Sequence, residues 1–318
     1  GTNIPSYEAR RIIGTGANGF NGDGLSGVST LIYNPTGAWI IDNQVIFSDY
    51  YNNRVRKLNI GIANDLVSTL LGSGYTLYTP NVTTQTKAEE TKLYYPTYIK
   101  IVGNTLYYSD RSNYRIRKMN LNTGEIIPYA GGGSGVPLEN VSPSLTSLGG
   151  PTGLTYLNNI LFFADNYGAI GFNRHCLIRG INTSNSNVSI ANQTIYANSV
   201  LTLGGNYYTG CVTWNGTYEG NDAVNAGLAL PEDIAVNSNY IFISNYYSHC
   251  ILKIDNNTGK INTHIGLCNT AGDITGIVNG TERLRYPKGI ILDPNYLEEG
   301  NMFILDQTDL TTNKVKYV

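Results

Sequence analysis

The sequence predicts an all-β protein, a β-propeller of four-stranded antiparallel blades. Three observations predict it. One stretch of the 318-residue chain, Asn34 to Leu58, returns as Tyr95 to Met119, and weaker copies begin at Pro151, Pro231 and Pro287. Self-similarity at a period of tens of residues marks a chain built from one supersecondary unit, and such units stack or close into rings. Within each copy the runs are strand-length, rich in Ile, Val, Tyr and Phe, and bounded by Asn, Asp, Gly and Pro, the pattern of hairpin-linked strands. Finally, the two chain ends read as complementary fragments of that same unit.

The first copy shows the four strands in order. Gly37 to Ile41 is strand a, Asn43 the turn, Gln44 to Ser48 strand b, Arg54 to Leu58 strand c, and Leu66 to Leu71 strand d, closed by Gly72. The blades cover about residues 31–74, 92–133, 148–205, 228–268 and 284–318. Tyr7 to Ile13, followed by Gly14, reads as a strand d with nothing before it. Lys288 to Leu292, Asn301 to Leu305 and Asn313 to Val318 supply a, b and c with no d after them. Residues 7–16 therefore complete the last blade and leave no open sheet edge. Five blades result. The alternative is six, with one hidden in the long third copy between Pro151 and Pro231, where only one a-b-c set and a polar insertion from Asn182 to Asn192 are visible.

The repeated pattern is Pro-x-Gly, an apolar strand, a turn, a second strand ending in Asp, then Asn-Arg-Val-Arg-Lys57 or Tyr-Arg-Ile-Arg-Lys118. It resembles the NHL repeat. The linkers Gly22-Asp23-Gly24 to Pro35 and Gly220-Asn221-Asp222-Ala223 to Pro231 are similar to that family's lead-in to the next blade. The resemblance implies one propeller domain spanning residues 1–318, in a family whose members are more often six-bladed.

Composition excludes several functions. Charged residues make up 14%, net charge is -2, and there is no basic run, so a nucleic-acid partner, which needs clustered Lys and Arg, is not expected. The longest apolar stretches are strand-length, which argues against membrane insertion. No leader is visible, and Gly1 reads as a residue exposed by its removal.

The four cysteines bear on compartment. Aligning the copies puts Cys250 in the slot of Arg54, with Cys176 assigned to the same slot, while Cys211 and Cys268 each follow the end of a strand d. The start of strand c lies beside the end of strand d, which predicts disulfides Cys176–Cys211 and Cys250–Cys268 and a secreted protein. Sequons occur at Asn81, Asn140, Asn182, Asn187, Asn192, Asn215, Asn256 and Asn279. Their number is no excess over what this Asn-, Ser- and Thr-rich composition yields. They fall in linkers, turns and the insertion, where glycans are tolerated, and are the glycosylation candidates.

Other motifs reduce to turns. Gly14-Thr-Gly-Ala-Asn-Gly19 has dinucleotide-site spacing, but the glycine-rich segment behind it cannot start the required helix. Asn21-Gly-Asp-Gly24 lacks the acid a calcium loop needs at Thr30. A zinc site from His249, Cys250, His264 and Cys268 competes poorly with the disulfide. No cofactor or metal is expected.

A propeller enzyme would place acids or metal ligands at the channel mouth. The aligned ring is Thr36, Thr97, Thr152, Glu232 and Lys288, then Gly37, Tyr98, Gly153, Asp233 and Gly289. Carboxylates come from one blade only, too few for metal chemistry; Glu232 and Lys288 read as an ion pair or a solvated rim. The acids ending strand b, Asp49, Asp110, Asp165 and Asp306, recur blade after blade. That marks a turn-stabilising acceptor paired with Arg54 or Arg115, though Asp165 with Cys176 breaks the pattern.

What remains is surface. There are 25 Tyr against 7 Phe and 2 Trp, several at turns: Tyr50-Tyr51, Tyr75, Tyr78, Tyr207-Tyr208 and Tyr246-Tyr247. The expectation is a non-catalytic, secreted, glycosylated, disulfide-linked propeller serving as a structural or protein-interaction module, such as a self-assembling fibre or matrix subunit. The first alternative is a monomeric adhesion module binding glycans or a receptor. The second is a metal-dependent lyase or hydrolase at the channel mouth, similar to the amidating-lyase branch of NHL propellers, depending on Glu232, Asp233 or His249.

Overall fold

The computed structural model describes residues 11–61, 65–76, 87–166, 175–214, 216–272, 283–295, 300–307 and 313–318. The protein is an all-β, five-bladed propeller. Blade 1 comprises Pro35–Ile41, Gln44–Asp49, Arg54–Asn59 and Leu66–Leu71, with Leu25–Ser26 added at its outer edge. Blade 2 is Pro96–Val102, Thr105–Asp110, Arg115–Asn120 and Ile126–Ala130. Blade 3 is Pro151–Leu157, Ile160–Asn166, Cys176–Asn182 and Val200–Gly204, and blade 4 Pro231–Val236, Tyr240–Asn245, Cys250–Asp255 and Ile261–Ile265. Blade 5 has three described strands, Pro287–Leu292, Met302–Gln307 and Asn313–Tyr317.

The insertion in the third copy does not form a sixth blade. Its residues make a small hairpin, Val188–Ile190 with Gln193–Ile195, which caps the seam with blade 4: Ala191 N–H donates to Asn256 O at 2.7 Å. Most of the expected closing strand, residues 7–16, lies outside the described residues. Gly14 repeats the signature of the glycines that end strand d, however. Gly14, Gly72, Gly131 and Gly205 have φ between 86° and 105°. Each donates its N–H to the first residue of a following one-turn helix, Gly27, Ala88, Pro143 and Ala223. A side chain at Gly131 would strike Tyr114 O at 2.3 Å, so only glycine fits there.

Three local rules build each blade. Strand a begins with proline, tolerable because it is an edge strand. Between b and c the chain makes one helical turn, Tyr50–Asn52, Arg111–Asn113 or Tyr246–Ser248, and leaves through a left-handed residue, Asn53, Tyr114 or His249. The third rule is the buried acid closing strand b. Its Oδ1 accepts the N–H of the linker just before the blade: Tyr33 to Asp49 at 2.7 Å, Tyr94 to Asp110 at 2.8 Å, Gly149 to Asp165 at 2.8 Å, Ala229 to Asn245 at 2.7 Å and Arg285 to Asp306 at 2.7 Å.

The acid's other partner differs from the sequence expectation. Arg54 and Arg115 are directly cross-strand from Asp49 and Asp110, but the ion pairs go to Arg56 and Arg117, two residues further along strand c. Directly opposite residues and their i+2 neighbours share one face of a sheet, so both arginines of each pair lie on the acid's face and the ion pair forms on the diagonal. Arg54 instead donates to Asn52 O and Ser73 O. Blade 3 is also shifted by one against the sequence alignment: Leu177, not Cys176, faces Asp165, and Arg179 takes the register of Arg56. There His175 Nδ1 meets Asp165 Oδ2 at 2.7 Å.

Strand alternation also makes the core. Ile46 packs toward blade 2 among Ile99, Leu106 and Tyr108. Tyr107 and Ile116 pack toward blade 3, Phe162 and Ile178 toward blade 4, and Phe242 and Ile251 toward blade 5.

Candidate functional site

The inner ends of the blades are sewn together around the channel. Thr36 Oγ1 donates to Thr97 O at 3.1 Å, Thr97 Oγ1 to Pro151 O at 3.3 Å, and Thr152 Oγ1 to Pro231 O at 3.4 Å. Strand b adds Ser48 to Thr97 O and Ser109 to Thr152 O at 2.8 Å. Glycine is required where strands a approach closest: a side chain at Gly37 would meet Thr97 O at 2.8 Å, and one at Gly153 the Asp233 Cα at 2.6 Å. The aligned ring is thus seam chemistry. Glu232 and Lys288 are both half-buried, and no ion pair joins them among the described residues.

Two side chains fill the channel at this level. The Tyr98 hydroxyl donates to Lys288 O at 3.1 Å, tying blade 2 to blade 5. Burial, reinforced by Asp233 and Glu232, pushes its phenol well above the ordinary value. Asp233 bridges blades 4 and 5, its Oδ2 accepting Ile290 N–H at 3.0 Å and its Oδ1 accepting Ile234 N–H at 2.8 Å. Burial pushes its carboxyl up to about 7, against those hydrogen bonds and the charge of Lys100. Lys100 lies over the Trp39 ring at 3.9 Å, and burial lowers its ammonium.

Above this plug lies a ring the sequence reading missed. It is formed by the residue after each strand-b acid, or after Asn245 in blade 4: Tyr50, Arg111, Asn166, Tyr246 and Gln307. Arg111 Nη2 donates to Asn166 Oδ1 at 3.1 Å, Asn166 Nδ2 to Pro231 O at 2.6 Å, and the Tyr246 hydroxyl to Gln307 Oε1 at 3.2 Å. Burial raises the Tyr246 phenol to about 12, with Glu232 adding to the effect. The signal was available: four of these residues follow an acid already recognised as recurrent, and Tyr246 follows Asn245 in the same position.

Tyrosines spread outward from that ring. Strand-a starts, strand-b ends, strand-c starts and strand-d ends all lie at the same end of the blades, so the tyrosines there share one face. Tyr50 stacks on Tyr95 at 4.7 Å and 13°, and Tyr33, Tyr51 and Tyr94 extend the cluster. Across the mouth, Tyr246 lies 5.0 Å from Tyr286, flanked by Tyr247 and His249. Tyr207 packs edge-on to His175 and Tyr208. Tyr208 is 75% exposed and Tyr51 and Tyr247 are exposed as well. Tyr78 lies outside the described residues.

The cysteines and sequons sort by burial. Disulfides join Cys176 to Cys211 and Cys250 to Cys268, with Cα atoms 5.2 and 5.1 Å apart, which points to an oxidising environment. His249 Nδ1 accepts Tyr286 N–H at 3.2 Å and His264 Nε2 faces Gly300 O at 3.3 Å, so the two imidazoles serve different contacts. Among the described residues no three His, Cys, Asp or Glu side chains are grouped to hold a metal, and no helix is long and apolar enough to cross a membrane. Asn187 and Asn192 are exposed. Asn182 stands apart from these: it ends strand c, is wholly buried, and donates its amide to Ser186 O, Ile195 O and Tyr196 O. The nitrogen a glycan would occupy is already committed. Asn256 likewise donates to Asn237 O and Ser238 O, and Asn140 is half-buried. Asn81, Asn215 and Asn279 lie outside the described residues.

No family model and no curated relative matches the chain. Among solved structures it is similar to a chain of a nidogen/laminin complex, at 13% identity and TM-score 0.44, covering 73% of this chain and 64% of that one. It is also similar to a streptogramin B lyase (14%, 0.43, 89% and 68%) and to an auxiliary nutrient binding protein from Bacteroides thetaiotaomicron (13%, 0.49, 96% and 75%). The chain spans just under two thirds of the first. These likenesses are of chain path alone and say nothing of activity.

Proposed function

We propose that this protein is a non-catalytic, secreted propeller that binds a protein partner through its tyrosine-bearing mouth face. The observation that carries the reading is the tyrosine cluster itself. Stacked, half-buried rings present a rigid apolar surface with hydroxyls at its edge, at little entropic cost on binding. The threonine ring, Tyr98 and Asp233 are taken up by the blade seams, and among the described residues no three acids, imidazoles or thiols are grouped to hold a metal. The two disulfides support an extracellular setting, where exposed Asn187 and Asn192 would carry glycans.

The test compares the native protein with a Tyr51→Ser/Tyr208→Ser/Tyr247→Ser variant, both immobilised and exposed to extracellular-matrix extract. Loss of a partner captured by the native chain, at unchanged circular dichroism, supports the reading. Equal capture by both rejects the face. Stoichiometric metal retained by the purified protein, with lyase or hydrolase turnover lost in Glu232→Gln, would replace the reading with the enzymatic one.

A further inference from the structure

Two places along strand a from the ring that holds Tyr98 and Asp233 comes a second ring, Trp39, Lys100, Thr155, Ala235 and Ile291. Register fixes it: these residues pair with Ile46, Tyr107, Phe162, Phe242 and Phe303, the same position of strand b in each blade. Residues two apart in a strand share a face, so this ring lies directly beneath the plug. Lys100 reaches inward from it. Its Nζ lies 3.9 Å over the Trp39 ring of blade 1, and its charge acts on Asp233 of blade 4. A blade-2 side chain that meets blade 1 and influences blade 4 has its ammonium in the channel.

Apart from the Trp39 ring, that ammonium has no hydrogen-bond or ion-pair partner among the described residues. Asp233 cannot serve, because its Oδ1 accepts Ile234 N–H and its Oδ2 accepts Ile290 N–H. The Thr155 hydroxyl, in the same ring on the next blade, is also without a hydrogen bond among the described residues. Trp39, Lys100 and Thr155 are all half-buried, so solvent reaches them, and with the plug above it does so from the lower end. Further down, the last strand-a residues of blades 1 to 3 are Ile41, Val102 and Leu157, half-buried as well. The lower channel is therefore a cup with a polar floor, one cation in its wall and an apolar rim.

We propose that this cup binds a small organic carboxylate with an apolar body, its charged end against Lys100 and its hydrocarbon against Trp39 and the rim. The occupant follows from what the protein leaves unmet. A partly desolvated ammonium lacks an acceptor, and a carboxylate supplies one through a charge-assisted hydrogen bond. Its second oxygen can take the Thr155 hydroxyl. A neutral ligand would leave the ammonium unpaired, a cation would be repelled by it, and a doubly charged anion would find a single positive charge. Apolar walls with a few unpartnered polar groups are the usual make-up of a small-molecule site. The cup lies at the opposite end of the channel from the tyrosine face and is independent of whatever that face binds.

Titration calorimetry with hexanoate tests it, with tryptophan fluorescence as a second readout. Trp39 and Trp214 are the two tryptophans, and Trp214 is wholly buried in the core between blades 3 and 4, so a change in emission reports Trp39. The native chain should bind one hexanoate with Kd of about 1 mM. Hexanol and hexylammonium should bind at least about tenfold more weakly, as should hexanoate to Lys100→Met, while Lys100→Arg keeps the affinity within a few fold. Lys100→Gln serves if circular dichroism shows Lys100→Met unfolded. No saturation at ten times the expected concentration overturns the proposal. So does hexanol binding as tightly as hexanoate, or a Lys100→Met variant that binds as the native chain does. The tyrosine-face variant should bind hexanoate unchanged, so the two readings fail separately.

Discussion

Arg117 Nε donates to Asp110 Oδ2 at 2.7 Å across strands c and b, with both side chains shut away from water. The pair recurs as Arg56–Asp49 at 3.4 Å and Lys316–Asp306 at 2.7 Å. In blade 4 both members change together: the acid is Asn245 and the base position is Leu252. Burial lifts the Asp110 carboxyl above its ordinary value even though Arg117 and its hydrogen bonds pull it down. The charges are therefore dispensable as a pair, while the acceptor for the linker N–H is not.

Removing one charge should accordingly hurt more than removing both. Arg117→Leu strands a buried carboxylate and should cost about 3–5 kcal/mol. Asp110→Asn with Arg117→Leu copies blade 4 and should cost no more than about 1–2 kcal/mol, since the amide oxygen still accepts Tyr94 N–H. Urea unfolding of the single and double variants measures the difference; a double variant worse than the single one would refute the argument.

Asp233 makes stability depend on pH. Unfolded, its carboxyl ionises near the ordinary 3.8; folded, it keeps its proton up to about 7. Between those values the folded state binds more protons, so its contribution is present at low pH and is lost as pH rises through about 7. Asp233→Asn should shrink the fall in stability between about pH 4 and about pH 8 by roughly 2–4 kcal/mol. Unfolding midpoints of both proteins at the two pH values decide it, and parallel curves would count against the buried acid.

The disulfides close loops of different length. Cys176 and Cys211 are 35 residues apart and Cys250 and Cys268 are 18 apart. Chain entropy gives about 4 and about 3 kcal/mol respectively, so Cys176→Ser/Cys211→Ser should lower stability slightly more than Cys250→Ser/Cys268→Ser. Calorimetry of the two double variants reads the order.

Glycan mapping separates the sequons by burial. Secreted from a glycosylating cell, the protein should carry sugar at Asn187 and Asn192 and none at Asn182. Asn182→Ala should instead cost about 1–3 kcal/mol, because it removes a buried donor from Ile195 O and the bonds to the part-buried Ser186 O and Tyr196 O. Peptide mass spectrometry after deglycosylation in heavy water gives occupancy; a modified Asn182 would contradict the geometry.

Much of this was legible from residues alone, because repetition lets each copy check the others. Strands b, c and d of blade 1 fall within a residue of their expected limits, and the acid closing strand b was recognisable from recurrence. The base it contacts was not: both arginines share the acid's face, and only the structure shows that Arg54 is taken by Asn52 O and Ser73 O while Arg56 reaches the acid on the diagonal. The one-residue shift in blade 3 was hidden because the chain before Cys176 differs in length from the other b–c connections. The mouth ring went unseen since Tyr50, Arg111, Asn166, Tyr246 and Gln307 share a position but not a residue type.

The sequence by itself determined the blade: hydrophobic alternation, proline and glycine at the strand ends, and an acid that ties each linker down are local properties, and a local pattern repeated is a fold. What only the tertiary structure decided is which surfaces remain. Asn182 reads as a surface sequon until the hairpin of residues 188–195 folds over it. Burial is a property of neighbours distant in the chain, and spacing along the chain carries no record of them.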